Sequence, residues 1–269
     1  MTNSLKLMCI TAHPDDESLG LGGVIAKYAS EGIDTYLVTA TRGERGWQDK
    51  SKPDPGLQVL GKLREAELQA ATAVLGIKEL TFLDYIDGDL DRADHNKAVG
   101  KIVAELRRVR PQVVLTFGPD GAYGHPDHIA ICQFATAAVM CAADGSYQPD
   151  GSLPPHRVSK LYYMAETQYT ANQYIELFGN IVMPVDGVDR SVVVWPDWVI
   201  SARIDTSDCW STVMKAILCH RTQYASLGEV ERLPEESQKA LRNPTTFYRA
   251  FSIVNGGRTV ETDLFEGLR

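Results

Sequence analysis

Two short segments hold most of the residues that could do chemistry. The first is Ala12-His13-Pro14-Asp15-Asp16-Glu17, which follows the apolar run 5–10. The second is Gly118-Pro119-Asp120-Gly121-Ala122-Tyr123-Gly124-His125-Pro126-Asp127-His128, which follows the apolar run 113–117. Each is expected to sit where a strand ends and a helix begins, the place where α/β sheets bind ligands. His13 and Asp16 offer an imidazole nitrogen and a carboxylate oxygen to one point. Either His125 or His128 completes a two-histidine, one-carboxylate set once the two loops are neighbours. With one position left open, such a set suits a hydrolytic metal. Asp15 remains beside it as a second carboxylate. Helix capping is the competing explanation, because aspartate is a good N-cap residue. Two His-Pro-Asp segments, each closing an apolar run, are harder to explain as caps alone.

Hydrophobic periodicity supplies the elements that must position these loops. Strands are expected at 5–11, 33–39, 79–83, 113–117 and 161–164, and helices at 17–30, 62–75, 96–109 and 129–142. This βα alternation predicts an α/β fold with a mostly parallel sheet and helices on both faces. Within 17–30, the small residues Gly22, Gly23, Ala26 and Ala29 predict close packing on the sheet. Leu19-Gly20-Leu21-Gly22-Gly23 lies inside the helix and lacks dinucleotide-binding spacing. Arg107, Arg108 and Arg110 end the 96–109 helix, where positive charge is favourable and a solvated face is expected. The polar 48–61 run is a candidate substrate loop.

Periodicity weakens after residue 165. Segments 181–185 and 191–195 are expected to pair across Val185-Asp186-Gly187-Val188 as a small antiparallel cap over the site. A strand at 199–204, a helix at 207–219 capped by Asp205, Thr206 or Ser207, a short helical piece at 233–236 and an apolar 247–254, either a strand or a packed terminal segment, are expected next. One domain is expected over 1–269, with a sheet core in 1–165 and cap and C-terminal elements in 166–269.

The sequence resembles the LmbE/PIG-L family of zinc-dependent N-deacetylases. The matching pieces are AHPDDESLGLGG at 12–23, TATRGERG at 39–46, REAEL at 64–68, GPDGAYGHPDH at 118–128 and HRTQ at 220–223. The resemblance implies a Rossmann-like sheet and hydrolysis of the acetamide of an N-acetylglucosamine-type sugar or conjugate. It implies His13, Asp16 and His128 as zinc ligands, although a set of N and O ligands also admits iron(II). It implies Asp15 as general base. His125 would hold the oxyanion or protonate the leaving nitrogen, with Asp127 as its carboxylate partner. Tyr123 would donate to the oxyanion. Arg64 resembles a sugar- or phosphate-contacting arginine, and His220 a late family histidine near the metal. Arg42, Glu44, Asp84 and Asp87 are weaker candidates for the substrate site. Trp47, in a polar loop, is a candidate for stacking on a sugar.

Composition sets outer limits. The net charge of −8 argues against a general nucleic-acid surface. No apolar stretch approaches bilayer-spanning length and no secretory leader is evident, so no membrane insertion is expected. Five scattered cysteines do not form a disulfide framework, and a cytoplasmic location is the default. The expected partner is a small amino-sugar. A homo-oligomer is compatible with the resemblance, since relatives include monomers, dimers and rings. Two other functions compete: an amidase acting on a thiol conjugate or other N-acyl compound, and a metal- or sugar-binding module without turnover.

Overall fold

Strand β1 (Lys6–Thr11) sends alternate side chains to opposite faces and is buried beyond its first residue. The computed structural model describes residues 4–149, 153–178, 182–185, 187–223, 231–240 and 243–269. Strands β1, β2 (Asp34–Thr41), β3 (Glu79–Tyr85), β4 (Val113–Thr116) and β5 (Lys160–Met164) run parallel. Strands β6 (Val182–Val185) and β7 (Val188–Ser191) form a separate hairpin. Strands β8 (Ala202–Ile204) and β9 (Thr245–Ser252) extend the main sheet antiparallel, giving the order β3-β2-β1-β4-β5-β9-β8.

The two faces bury separate cores. Met8 and Ile10 of β1 pack with helices α3 (His95–Val109) and α5 (Pro126–Ala143) through Ile102, Leu106, Ile131 and Ala135. Leu7 and Cys9 face helices α1 (Gly22–Ser30), α2 (Leu57–Leu75) and α7 (Trp210–Ile217) through Val24, Ile25, Leu68 and Ala216. Successive strands step outward from β1 to β2 and β3 on one side, and from β4 to β5 on the other. The reversal of strand order between β1 and β4 opens a crevice at their carboxyl ends. Both His-Pro-Asp segments leave the sheet there.

Local signals fix the helix ends. Asp94 caps α3 by accepting from the Lys97 amide at 3.1 Å, and Arg110 closes it in the left-handed region ahead of Pro111. Gly76, at φ +76°, ends α2.

Several elements differ from expectation. Residues Glu17–Leu21 wind as a π-helical turn before α1, rather than as one continuous α-helix. The glycines there serve the C-terminal half as well as the sheet: a Cβ on Gly23 would sit 2.7 Å from Thr206. Helix α2 begins at Leu57, so the expected 48–61 loop ends earlier than predicted. Helix α5 begins at Pro126, which puts His128 in a first helical turn rather than in a loop. Helix α6 (Gln168–Phe178) was hidden by weak periodicity. Val185 pairs directly with Val188, and Gly187 takes φ +74°, so β7 runs over Val188–Ser191 and not 191–195. Ile181 and Asp186 of the expected hairpin, and residues 150–152, lie outside the described residues. Arg107 is not on a solvated face: it is buried and donates to the carbonyls of Cys141, Ala142 and Asp144, which close α5. Among the described residues, no helix is long and apolar enough to cross a membrane.

Candidate metal centre and active site

The crevice between β1 and β4 brings His13, Asp16 and His128 together. His13 Nδ1 lies 3.2 Å from His128 Nε2. Asp16 Oδ1 lies 3.4 Å from His128 Nε2, and its Oδ2 lies 3.8 Å from His13 Nδ1. A tetrahedral ion with bonds of about 2.0–2.1 Å leaves neighbouring ligand atoms about 3.3 Å apart, which the His13–His128 and Asp16–His128 spacings match. The tautomers fit as well. The Gly121 carbonyl, 3.2 Å away, accepts from His128 Nδ1 and leaves the Nε2 lone pair free. The Asp127 and Asp87 carboxylates lie 3.1 and 3.2 Å from His13 Nε2, which therefore carries the proton and frees Nδ1. Amides of Ala12 and His13 donate to Asp16 Oδ2 and fix that carboxylate.

A second cluster, His13, His125 and Asp127, also has ligand atoms within 4.8 Å of one another. It is the poorer cation site. Asp127 is fully buried, and its two oxygens already accept from the Gly88 amide at 2.7 Å and the Leu90 amide at 3.1 Å. Asp127 therefore orients His13, and the expectation that its carboxylate partners His125 is corrected. Its link to His125 runs through its backbone, whose N–H donates to His125 Nδ1 at 3.1 Å. A carboxylate behind a ligating histidine raises that ligand's basicity. Asp127→Asn should therefore weaken metal retention about 10–100-fold. Chelator competition on the folded variant measures it.

Charge in the crevice is strongly perturbed. Burial opposes charge on His13, yet Asp127 and Asp87 hold its pKa well above the ordinary imidazole value. Burial opposes the Asp16 carboxylate, and the two histidines outweigh it, holding Asp16 well below the usual range. Burial pushes Asp15 up to about 6, against the pull of Arg64 and with help from Asp16. Burial, with His13 and His128 nearby, pushes His125 down to about 4.

Asp15 is held by a built support. Its backbone sits at φ +104°, a conformation costly for a non-glycine residue. The Asp15 N–H donates to Glu17 Oε2 at 3.0 Å, and Glu17 Oε1 lies 2.8 Å from His220 Nε2. Both Glu17 and His220 are fully buried. From the other side, Arg64 Nη2 binds Asp15 Oδ2 at 3.0 Å and the Pro14 carbonyl at 2.5 Å. Arg64 Nη1 donates to the Gly43 carbonyl. A Cβ on either Gly43 or Gly46 would lie 2.2 Å from Arg64 Nη1. The glycines of the 39–46 segment thus make room for the arginine that clamps Asp15.

The remaining expected residues divide by position. Tyr123, His125, Arg64 and Asp87 line a cleft of ≈1220 Å³ together with His13, Asp15, Asp16, Asp127 and His128. Burial and the surrounding carboxylates push the Tyr123 phenol well above its ordinary value, so it stays a hydrogen donor. Glu44 is buried under the cleft and accepts from the amides of Arg42 and Asp87. Arg42 pairs with Glu65 and Asp84 at the sheet's edge, and none of the three lines the cleft. Trp47 lies off the cleft, its Nε1 donating to the Lys52 carbonyl. His220 sits behind Asp15, away from the wall.

Sequence reasoning missed Glu17, although it directly follows the His-Pro-Asp-Asp run. It gave no role to Asp120, whose carboxylate accepts from Trp195 Nε1 at 2.9 Å and the Ala122 amide. That pair of bonds fixes the turn α4 (Gly121–Gly124), where Ala122 takes φ +65°.

Comparison with known proteins points the same way. The family described as "PIG-L: GlcNAc-PI de-N-acetylase" matches residues 8–139. A 1D-myo-inositol 2-acetamido-2-deoxy-alpha-D-glucopyranoside deacetylase of Streptomyces avermitilis is 35% identical, covering 98% of this chain and 97% of its own. A mycothiol S-conjugate amidase of Streptomyces coelicolor is 30% identical, covering 100% of this chain and 99% of its own. Among solved structures, a conserved protein from Thermus thermophilus superposes with a TM-score of 0.65 at 26% identity, over 94% of this chain and 97% of its own.

Proposed function

Because the chain belongs to the PIG-L/LmbE family of metal-dependent amidohydrolases, we propose that it is a zinc-dependent N-deacetylase. Its substrate is an N-acetylglucosamine unit joined to a second group, and its products are acetate and the free amine. The observation that carries this reading is the convergence of His13 Nδ1, Asp16 and His128 Nε2 beside an Asp15 held apart from them. A divalent ion held by those three residues supplies Lewis acidity to the amide carbonyl and acidifies water.

The chain's own residues do the rest. Arg64 occupies Asp15 Oδ2, so Oδ1 is the oxygen that takes a proton from the attacking water. His125 Nδ1 accepts the Asp127 N–H, so Nε2 carries the proton and serves as donor to the developing oxyanion or the departing nitrogen. Tyr123 is the second donor on the same turn. Arg64, Arg45, Gln48 and Gln223 give the cleft floor its polar groups for sugar hydroxyls. Residues from both halves of the chain meet around Asp15, which supports one catalytic domain over 1–269.

The amide of a thiol conjugate is the second reading, favoured by the full-length likeness to the amidase. A binding module without turnover is the weakest, because base and donor stand beside the ligands. Five free cysteines support a reducing compartment such as the cytoplasm, and the net charge of −8 supports a small-molecule partner over nucleic acid.

Zinc-loaded protein should release acetate from N-acetylglucosamine glycosides, lose that activity to a chelator, and regain it with zinc. Release from a thiol-conjugate amide alone would select the second reading, and no release from any N-acyl compound would reject both.

A further inference from the structure

The cleft is larger and more apolar than a monosaccharide requires. Its ≈1220 Å³ exceeds the roughly 300–1,000 Å³ of ordinary small-ligand pockets. Beyond the polar floor, one wall is built from Met183, Val185, Val192 and Val194 on and after the β6–β7 hairpin, with Ile175 of α6. Met183 is 38% exposed and Ile175 45% exposed. Contiguous apolar surface rimmed by polar groups marks a binding groove.

An isolated two-stranded hairpin is marginal in water, so this one needs anchors. The Val193 N–H donates to the Ala122 carbonyl at 2.8 Å, and the Trp195 N–H to the Glu166 carbonyl at 2.8 Å. The first of these ties the segment that follows the hairpin directly to the turn carrying Tyr123 and His125. The apolar wall is therefore continuous with the catalytic centre and is not a separate surface.

We infer that this wall is a subsite for an apolar arm on the amine side of the substrate. The inference rests on the deacetylase reading above. An acetyl group offers one methyl on the acyl side, so an apolar group able to cover several side chains must belong to the amine component. The ligand class is an N-acetylglucosamine glycoside with an alkyl or aryl aglycone, in preference to a polyhydroxylated one.

The test measures kcat/KM for acetate release from the methyl, butyl and hexyl glycosides of N-acetylglucosamine, and from N-hexanoylglucosamine methyl glycoside by hexanoate release. Each methylene fully removed from water favours binding about fourfold, so the hexyl glycoside should exceed the methyl by at least ~10-fold with partial burial. Met183→Gln should cut the hexyl-to-methyl ratio several-fold. Met140→Gln, a 60% exposed methionine on α5 away from the cleft, should leave the ratio alone. Circular dichroism confirms that both variants are folded. A flat glycoside series, a gain for the hexanoyl chain instead, or a ratio unmoved by Met183→Gln overturns the subsite while the deacetylase reading stands. No acyl release from any of these sugars overturns that reading and the subsite with it.

Discussion

Asp15→Asn should lower kcat by about 10²–10⁴, with metal content unchanged. The size follows from the role: an amide nitrogen or oxygen cannot take the proton of the attacking water. Metal content should hold because Asp15 is not among His13, Asp16 and His128, the three residues proposed to hold the ion. The variant keeps shape and volume, and its side-chain oxygen can still accept from Arg64, so the left-handed backbone at residue 15 is retained. Metal analysis together with single-turnover acetate release checks it. If full activity survived, Asp15 would be reduced to a structural partner of Arg64. If metal were lost together with activity, Asp15 would belong to the ligand set.

Glu261→Ala should destabilise the chain by about 3–5 kcal/mol, far from the crevice. Lys160, at the start of β5, is fully buried, and its Nζ lies 2.7 Å from Glu261 Oε1. The Tyr162 hydroxyl donates to Glu261 Oε2 at 2.5 Å, and Arg249 Nη1 lies 2.9 Å from Oε1. Deleting the carboxylate leaves a buried ammonium with no counter-charge, which is why the cost exceeds that of a surface pair. At roughly 2–4 °C per kcal/mol for a chain of this size, the melting temperature should fall by on the order of 10 °C. The same group makes stability depend on pH. Burial opposes its ionisation, but Lys160, Tyr162 and Arg249 hold its pKa below the ordinary value of 4.5. A depressed carboxylate contributes stability above its unfolded pKa and loses it as pH falls through the folded one. Thermal melts of wild type and variant should stay apart at pH 4.5 and above, and draw together only as the pH falls below it through the folded pKa. Parallel curves at all pH values would show that the carboxylate acts through packing alone.

The sheet core was legible because its signals are local. Alternating apolar runs and amphipathic helices announced β1 to β5, and the two His-Pro-Asp segments marked the crossing points before any topology was known. What stayed hidden depends on long-range contact. The resemblance implied that Asp127 partners His125, yet the helical turn beginning at Pro126 swings its carboxylate to His13 instead. That Arg64 also clamps Asp15 was not legible, because nothing local says that Gly43 and Gly46 make room for its guanidinium. Arg42, just after β2, and Asp84, on the edge strand β3, share a strand-end position with cleft residues, but they pair with each other at the sheet's edge. Strand β9 lies about eighty residues after β5, and its apolar run could be read as a strand or as a packed terminal segment. Its place beside β5 was not legible, because pairing across such a separation leaves no local trace.

Asp127 grips one loop with its side chain and the other with its main chain. The imidazole that would hold the ion and the imidazole that would donate to the substrate therefore share a single fastener. Tuning one without disturbing the other is mechanically difficult at this position, so variation in what the enzyme accepts has its freest ground in the hairpin, which carries neither imidazole.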